Sequence, residues 1–161
     1  VSEDRKALGF IPELSVKQNI SLSSILNYSK TGFIDEKKEE KASSKIAQQL
    51  NIKASGLNQK VMNLSGGNQQ KVVIARVLMA SPSLIILDEP TRGIDIGAKH
   101  EIYKLIKQLT ESGLAVIMIS SELPEILVMS NRILVLSKGK QKTILTQKEA
   151  SQEKIMQYAL H

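Results

Sequence analysis

The sequence predicts an α/β domain built on a parallel sheet with flanking helices. Two apolar runs, Leu84–Leu87 and Leu114–Ile119, are too short to span a bilayer and are typical of buried strands. A segment of helical periodicity separates them, and a third strand, Arg132–Leu136, follows the short helix Glu122–Met129. In such a sheet, ligands bind at the carboxyl ends of the strands.

The other elements follow from apolar spacing and from residues that interrupt it. Residues 14–63 are expected to be helical and rich in loops, with the charged stretch Asp35–Lys41 on a solvated helix face. Ser65-Gly66-Gly67 precedes a helix over 68–79, and Ser81-Pro82-Ser83 ends it. The remaining predicted elements are a helix over 97–111, a turn over 138–140, a short strand over 141–145 and a terminal helix over 148–160.

Composition excludes several kinds of site. The 161 residues have a net charge of +6, and none is Cys, which excludes disulfides, thiolate metal sites and cysteine nucleophiles. The two histidines, His100 and His161, are too few for a histidine-rich metal site. Aromatic residues make up only 3%, so there is little material for base stacking despite the basic charge. The opening Val1–Arg5 has no apolar leader, and we expect no signal peptide and a chain entered in its middle.

The first chemical motif is Ser65-Gly66-Gly67, directly before a helix. Free backbone N–H groups and the positive end of the helix dipole make such a turn an anion site, and glycine lets a phosphate approach the backbone. The alternative is a serine N-cap after a flexible turn. On its own, the short tripeptide favours the capping interpretation.

The second motif is the acidic pair Asp88 and Glu89, at the carboxyl end of the Leu84–Leu87 strand. Two carboxylates ending a buried strand are costly unless they bind something charged. An Asp there can hold Mg²⁺ through its water shell, and a neighbouring Glu can orient or deprotonate an attacking water. The alternative is a strand end whose carboxylates are only solvated. The preceding anion-binding turn favours the functional interpretation.

Together these segments resemble the ATPases of ABC transporters. Leu64–Lys71 resembles the signature motif, Leu84–Thr91 the Walker B strand with its catalytic Glu, and Arg92–Asp95 the D-loop. Further segments narrow the resemblance to the second nucleotide-binding half of the two-half ATPase subunits of bacterial monosaccharide importers, with the ribose type nearest: Ser2–Lys6, Asn68–Lys71, Pro90–Lys99 and Ser120–Glu125.

The resemblance implies the carboxyl-terminal part of an ABC ATPase (P-loop NTPase) domain. Residues 1–63 would be the Q-loop region and helical subdomain, and residues 64–161 the signature helix, Walker B strand, D-loop and switch region. The pattern G-x-x-x-x-G-K-[ST] is absent from the sequence, so the Walker A portion is missing. Unpaired strand edges and an uncovered apolar face are then expected. We predict that the isolated chain is inactive and poorly soluble or partly folded; a cooperative melt of soluble monomer would contradict this.

The resemblance also implies a role for each motif residue. Ser65-Gly66-Gly67 would contact the γ-phosphate of an ATP bound on the opposite half, with Gln69 in the same nucleotide-binding set. Asp88 would take part in Mg²⁺ coordination, and Glu89 would be the general base. Asp95 would bridge the interface between the halves; it can also cap the helix over 97–111, and the two roles can coexist.

Two positions depart from the general ATPase pattern. Ser121 stands where the switch His would be and supplies no imidazole to the γ-phosphate; its alternative role is to cap the following helix. Glu3 stands where the Q-loop Gln would be, and its carboxylate repels phosphate unless Mg²⁺ intervenes. Both departures suggest that the ATP site of this half is weak or non-hydrolytic, while its signature motif completes the site of the other half.

The cofactors implied are ATP and Mg²⁺. The partners implied are the first ATPase half of the same subunit or a second subunit, a membrane permease through its coupling helix, and indirectly a periplasmic or surface sugar-binding protein, but no nucleic acid. Phe10, Ile11 and Leu14 are candidates for the permease contact or, alternatively, core residues. The protein would lie peripherally on the cytoplasmic face of the bacterial membrane. The alternatives are a non-catalytic nucleotide-clamping half, a truncated remnant, and a soluble ABC ATPase that acts on nucleic acid.

Overall fold

The computed structural model describes residues 1–160, apart from the side chain of Lys6. The chain divides into two compact units, Val1–Ile117 and Met118–His161. This boundary separates two compact units of the fold. The division between residues 63 and 64, which separates the helical subdomain from the part that carries the motifs, remains a prediction.

The helices of the first unit begin at residues that cap them. Ser15 and Gln18 form a reciprocal capping box at the first helix. Asp35 accepts a hydrogen bond from the Lys38 N–H at the start of the second. The predicted helices over 68–79 and 97–111 are confirmed, with ends shifted by a few residues, and residues 14–63 are helical and rich in loops as expected. The elements are a π-helical turn Arg5–Gly9, α1 Val16–Ser21, a 3₁₀ helix Leu22–Tyr28, a small hairpin of β1 Ser29–Lys30 and β2 Phe33–Ile34, α2 Glu36–Gln49, a 3₁₀ turn Val61–Asn63, α3 Gly66–Leu78 and α4 Ile96–Glu111.

β3, Leu84–Asp88, forms a two-stranded sheet with β4, Ala115–Ile119. Ile85 and Leu87 are buried, but Leu84 and Ile86 are 45% and 48% exposed, so β3 is covered on one face only. The prediction of a strand buried on both faces is therefore wrong, and the expected uncovered apolar face is confirmed for this strand. Val1 lies beside β3: its amino group donates to the Ile86 carbonyl at 2.8 Å, and its own carbonyl accepts from the Asp88 N–H at 3.0 Å.

α3 lies at the centre of the first unit and packs against α1 and α4. Its middle turns contribute Val72, Val73, Ile74 and Ala75 to the core, to which α1 adds Val16 and Ile20 and α4 adds Ile102, Leu105 and Ile106. Lys71 is also buried, because its ammonium donates to the Asn51 carbonyl at 2.9 Å and to the Glu101 carboxylate at 2.7 Å. This packing places the start of α3 beside the loop that leads into α4.

The second unit contains a hairpin covered by two helices. The helices are α5, Leu123–Met129, and α6, Gln152–Leu160, and the hairpin is β5, Arg132–Ser137, with β6, Lys140–Thr146. The pairing is antiparallel, with Ser137 opposite Lys140. Lys138 and Gly139 both have positive φ, which suits a two-residue hairpin turn. This turn folds β6 back beside β5, so one edge of Arg132–Leu136 has an antiparallel neighbour, which the prediction of a parallel sheet did not include. The short strand over 141–145 is confirmed.

The hairpin alternates between buried and exposed positions, as expected for an antiparallel pair with one covered face. Its core is made by Ile133, Val135 and Leu145, with Ile155 from α6. Among the residues that the structure describes, no helix is long and apolar enough to cross a bilayer.

Candidate functional site

The start of α3 leaves its first backbone donors without helical partners; Ser65 is exposed, Gly66 and Asn68 are half-buried, and Gly67 is buried. Ser65 occupies the N-cap position, and its carbonyl accepts the first helical bond, from the Gln69 N–H, at 2.9 Å. The three N–H groups at positions 66–68 precede that bond and have no intrahelical acceptor. The Ser65 hydroxyl does not cap them; instead it accepts from the Asn68 side-chain amide at 2.9 Å. The side-chain capping interpretation of Ser65 is therefore wrong, and the positive end of α3 is open to an anion.

The two glycines of this turn are required by packing. A Cβ at Gly67 would lie 2.5 Å from the Cβ of Ala98 in α4. A Cβ at Gly66 would lie 3.0 Å from a guanidinium nitrogen of Arg5 and 3.3 Å from the Ile94 side chain. Gly66 therefore brings this turn against the D-loop, and Gly67 brings it against α4, independently of any phosphate.

Gln69 has a structural role. Its side chain is buried, with the residue 7% exposed, and its amide donates to the Val61 carbonyl at 3.3 Å. The preceding residue, Asn68, accepts the Lys53 N–H at 2.8 Å. Both side chains anchor α3 to the loops that precede it, so the structure lends no support to the predicted nucleotide contact of Gln69.

Asp88 ends β3, and the backbone turns sharply at Glu89. Glu89 has φ +47°, a left-handed conformation that glycine adopts easily and other residues adopt at a cost. Its carbonyl accepts the Arg92 N–H at 3.1 Å, and Pro90 and Thr91 are buried beneath the turn. Strained backbone of this kind costs about 1–3 kcal/mol and clusters at functional sites. Asp88 and Glu89 thus lie in a defined, hydrogen-bonded turn rather than at a flexible strand end.

Asp95 caps α4. Its carboxylate accepts the Ala98 N–H at 2.9 Å, and its carbonyl accepts the Lys99 N–H at 2.9 Å. The capping role is confirmed, whereas the bridge to an opposite half remains a prediction. The next residue, Ile96, is among the most exposed apolar side chains of the first unit.

Glu3 and Arg5 connect the start of the chain with the D-loop. The Glu3 carboxylate forms an ion pair with the Arg92 guanidinium. The Arg5 guanidinium donates to the Arg92 carbonyl at 2.6 Å and to the Gly93 carbonyl at 3.0 Å. These residues and Asp4 line a cleft of about 460 Å³. The carboxylate at the Q-loop position is therefore neutralised by a partner within this half.

Ser121 lies in the loop before α5 in the second unit. α5 begins with Glu122 at the N-cap position, so the alternative capping role of Ser121 is wrong. The neighbouring Ser120 organises this loop instead: its hydroxyl donates to the buried Glu125 carboxylate at 2.5 Å and accepts the Glu122 N–H at 3.0 Å. The absence of an imidazole at position 121 follows from the sequence.

The fold and the motifs have known relatives. The sequence profile described as ABC transporter matches residues 2–92, more than half of the chain. The chain belongs to the ABC transporter family. It is 48% identical over 159 residues to the ribose import ATP-binding protein RbsA of Halalkalibacterium halodurans, covering 99% of the chain and 32% of that protein. It is 49% identical over 160 residues to the xylose import ATP-binding protein XylG of Photobacterium profundum, covering 99% of the chain and 32% of that protein.

A solved ABC cassette shares the fold. The dimeric post-hydrolysis structure of the cassette MJ0796 with ADP and Pi matches with a TM-score of 0.71 and 26% identity, over 88% of this chain and 60% of that one. The chain therefore has the ABC ATPase fold. It spans about one third of the length of the sugar-import relatives it matches.

The turn before α1 of this ABC ATPase separates the three predicted permease contacts. Phe10 is 6% exposed and belongs to the core, so the packing interpretation holds for it. Ile11 is 43% exposed, and Leu14 is partly buried. The buried Asn19 fixes this turn, because its amide donates to the carbonyls of Ile11 and Leu14 at 3.0 and 3.1 Å.

The side chains that sequence reasoning missed in this ABC ATPase are Arg5 and Arg92. Burial lowers the pKa of the Arg5 guanidinium and the nearby Asp4 carboxylate opposes that shift, but an arginine remains charged at any physiological pH. Arg5 and the carbonyl of Arg92 are 87 positions apart in the sequence. No local spacing rule relates residues at such a separation, so only the fold reveals the contact.

Proposed function

We propose that this chain is the carboxyl-terminal part of the second ATP-binding half of an ABC subunit that energises monosaccharide import, with ribose as the expected sugar. The observation that carries the proposal is the positively polarised start of α3, whose first N–H groups lack side-chain caps and which lies against the D-loop at Gly66 and against α4 at Gly67. Two relatives are named as ribose and xylose import ATP-binding proteins, which supports a monosaccharide as the imported substrate.

The residues of the site fit a magnesium nucleotide. The amides at the start of α3 suit the terminal phosphate of an ATP bound on the opposite half, and a carboxylate oxygen of Asp88 suits Mg²⁺ or one of its waters. Within the described residues, no group of three or more His, Asp or Glu side chains gathers into a metal site. Mg²⁺ at Asp88 would therefore take its other ligands from phosphate and water. The bound magnesium nucleotide supplies the phosphoanhydride bond whose hydrolysis drives transport.

The two departures from the family pattern support an asymmetric pair of sites. Ser121 offers no imidazole for the switch position, and Glu3 is already paired with Arg92. Glu89 would act as the general base of a weak site, while the intact signature turn completes the site of the other half. A nucleotide-clamping half without hydrolysis is the second candidate, and the same two residues favour it.

The proposed partners follow from the exposed surfaces. The D-loop and the signature turn would face the first ATPase half of the same subunit or a second subunit, as the dimeric cassette relative supports. Ile11 and Leu14 would contact the coupling helix of a membrane permease, which places the protein on the cytoplasmic face of the membrane. A sugar-binding protein would act only through the permease.

The test exploits the exposed N-cap position of α3. Asp and Asn are both well accepted at an N-cap position and have nearly the same shape, so both variants should fold, but the Asp carboxylate repels a phosphate. Ser65→Asn is the matched control because it also removes the hydroxyl without adding a charge. In the intact transporter we expect ATP turnover to fall about 100-fold in Ser65→Asp and by much less in Ser65→Asn.

Wild-type turnover in Ser65→Asp would overturn the phosphate-binding role. Sugar import assays on the same preparation, with ribose and then other monosaccharides, test the substrate class separately. An intact protein that turns over ATP without importing any monosaccharide would refute that part of the proposal.

A further inference from the structure

Two ties join the segment at residues 3–5 to the D-loop. The first is the ion pair between Glu3 and Arg92. The second consists of two charge-assisted hydrogen bonds from Arg5 to the successive carbonyls of Arg92 and Gly93, at 2.6 and 3.0 Å. Hydrogen bonds with an ionised donor are about twice as strong as neutral ones. In the first tie the arginine belongs to the D-loop, and in the second it belongs to the segment at residues 3–5.

The D-loop has few other contacts along these residues. Arg92 and Gly93 are exposed, and Gly93 has φ +66°, so the turn is formed by backbone with little side-chain packing of its own. The Arg92 N–H is bonded to Glu89 behind it, and Asp95 is fixed ahead of it by its capping bond. Between these two points, the carbonyls of the turn are held by Arg5.

Arg5 also touches the signature turn. A Cβ at Gly66 would lie 3.0 Å from its guanidinium, which therefore lies against that glycine. Its Nε is buried without a hydrogen-bond partner among the described residues, so the two carbonyls and this packing fix the group. A planar guanidinium can donate to two successive carbonyls at once, whereas a lysine ammonium is a point charge on a flexible stem.

We propose that Arg5 is a positioning residue that holds the D-loop against the signature turn, with the Glu3–Arg92 ion pair as the second tie between the same segments. The two loops are then presented to the opposite half as one surface. The effect on turnover rests on the proposed function; the effect on the D-loop itself does not.

The test compares Arg5→Lys and Arg5→Ala with the wild type in the gene product that contains this chain. In both variants we expect the Arg92 amide, which is bonded to the Glu89 carbonyl, to exchange hydrogen about tenfold faster, with the amides of α4 beyond its first turn unchanged. In the intact transporter we expect kcat for ATP to fall about tenfold with KM and Tm unchanged, because ordering of the interface is lost while the binding groups remain. Glu111→Gln, which removes the exposed Lys107–Glu111 pair of α4, is the matched control and should change neither measurement.

A charge-reversal cycle tests the second tie. Glu3→Arg and Arg92→Glu should each accelerate D-loop exchange, and the double variant should restore it, because it rebuilds the pair with reversed polarity. If Arg5→Ala fails to fold, this cycle and Arg5→Lys still test whether the two ties hold the D-loop in place.

Wild-type exchange in the D-loop of both Arg5 variants would overturn the proposal. Faster exchange with unchanged kcat would also overturn it, because the contact would then be structural only. If the wild-type transporter hydrolyses no ATP, the proposed function fails, and the exchange measurements still decide whether Arg5 holds the loop.

Discussion

Gly67→Ala tests whether this glycine is needed for helix packing. The added Cβ would lie 2.5 Å from the Cβ of Ala98, so α3 and α4 must separate by roughly 1 Å to restore ordinary contact. Overpacking of this kind costs about 1–3 kcal/mol, and replacing Gly by Ala within a helix returns about 0.5–1 kcal/mol. The net destabilisation is then between about 0 and 2.5 kcal/mol with a central value of about 1.3 kcal/mol, or roughly an 8-fold increase in local opening.

The assay is native-state hydrogen exchange of α3, measured in the gene product that contains this chain. Gly56→Ala is the matched control, because a Cβ there has nothing within 4 Å and should cause no loss of protection. In an Ala98→Gly background the collision is absent, so Gly67→Ala should have no destabilising effect. An α3 helix equally protected in Gly67→Ala and wild type, or equal losses in both backgrounds, would refute the packing argument.

Two further predictions concern charged residues of the first unit. Hydrogen bonds from Lys71 and Lys53 lower the pKa of Glu101 from its ordinary value of 4.5. The ionised Glu101 therefore stabilises the fold at pH values above 4.5, and this stabilisation is lost as the pH falls through the lowered pKa. Glu101→Gln should therefore be less stable than wild type near pH 7, with a difference in denaturation midpoint that shrinks as the pH falls below about 4.5; a constant difference would contradict this. Glu89→Gln should reduce sugar-stimulated ATP turnover of the intact transporter by less than about twofold if the other site does most of the hydrolysis, and a collapse of turnover would show that this half is catalytic.

Local chemistry made part of the structure predictable. Asp95 was expected to cap α4 because the acceptor and the donor N–H are only three residues apart, and the structure has this bond. The turn at Ser65 and the helix after it were expected from the Ser-Gly-Gly interruption and the helical spacing that follows, although the Ser65 side chain does not cap the helix. The strand at Leu84 was found at the expected place, but its exposed face depends on what packs above it, which the strand's own residues do not encode.

Contacts distant in sequence could not be predicted in this way. The bonds from Arg5 to the D-loop and the ion pair of Glu3 have no signature in residue spacing, although both arginines stand inside segments that carried the resemblance. The antiparallel pairing of the third strand with β6 was not predicted, because an apolar run does not specify its neighbour. The positive φ of Lys138 and Gly139 gives the tight turn that returns β6 beside it.

The attachment of α3 to α4 has a mechanical consequence. The helices meet at Gly67 and Ala98, and again at Lys71 and Glu101, about 6 Å further along α3. Two attachment points fix the direction of a rod as well as its position, so α3 cannot pivot on α4 without breaking one of them. Because the Lys71 ammonium also donates to the Asn51 carbonyl, a displacement of the loop after α2 shifts α3 and α4 together.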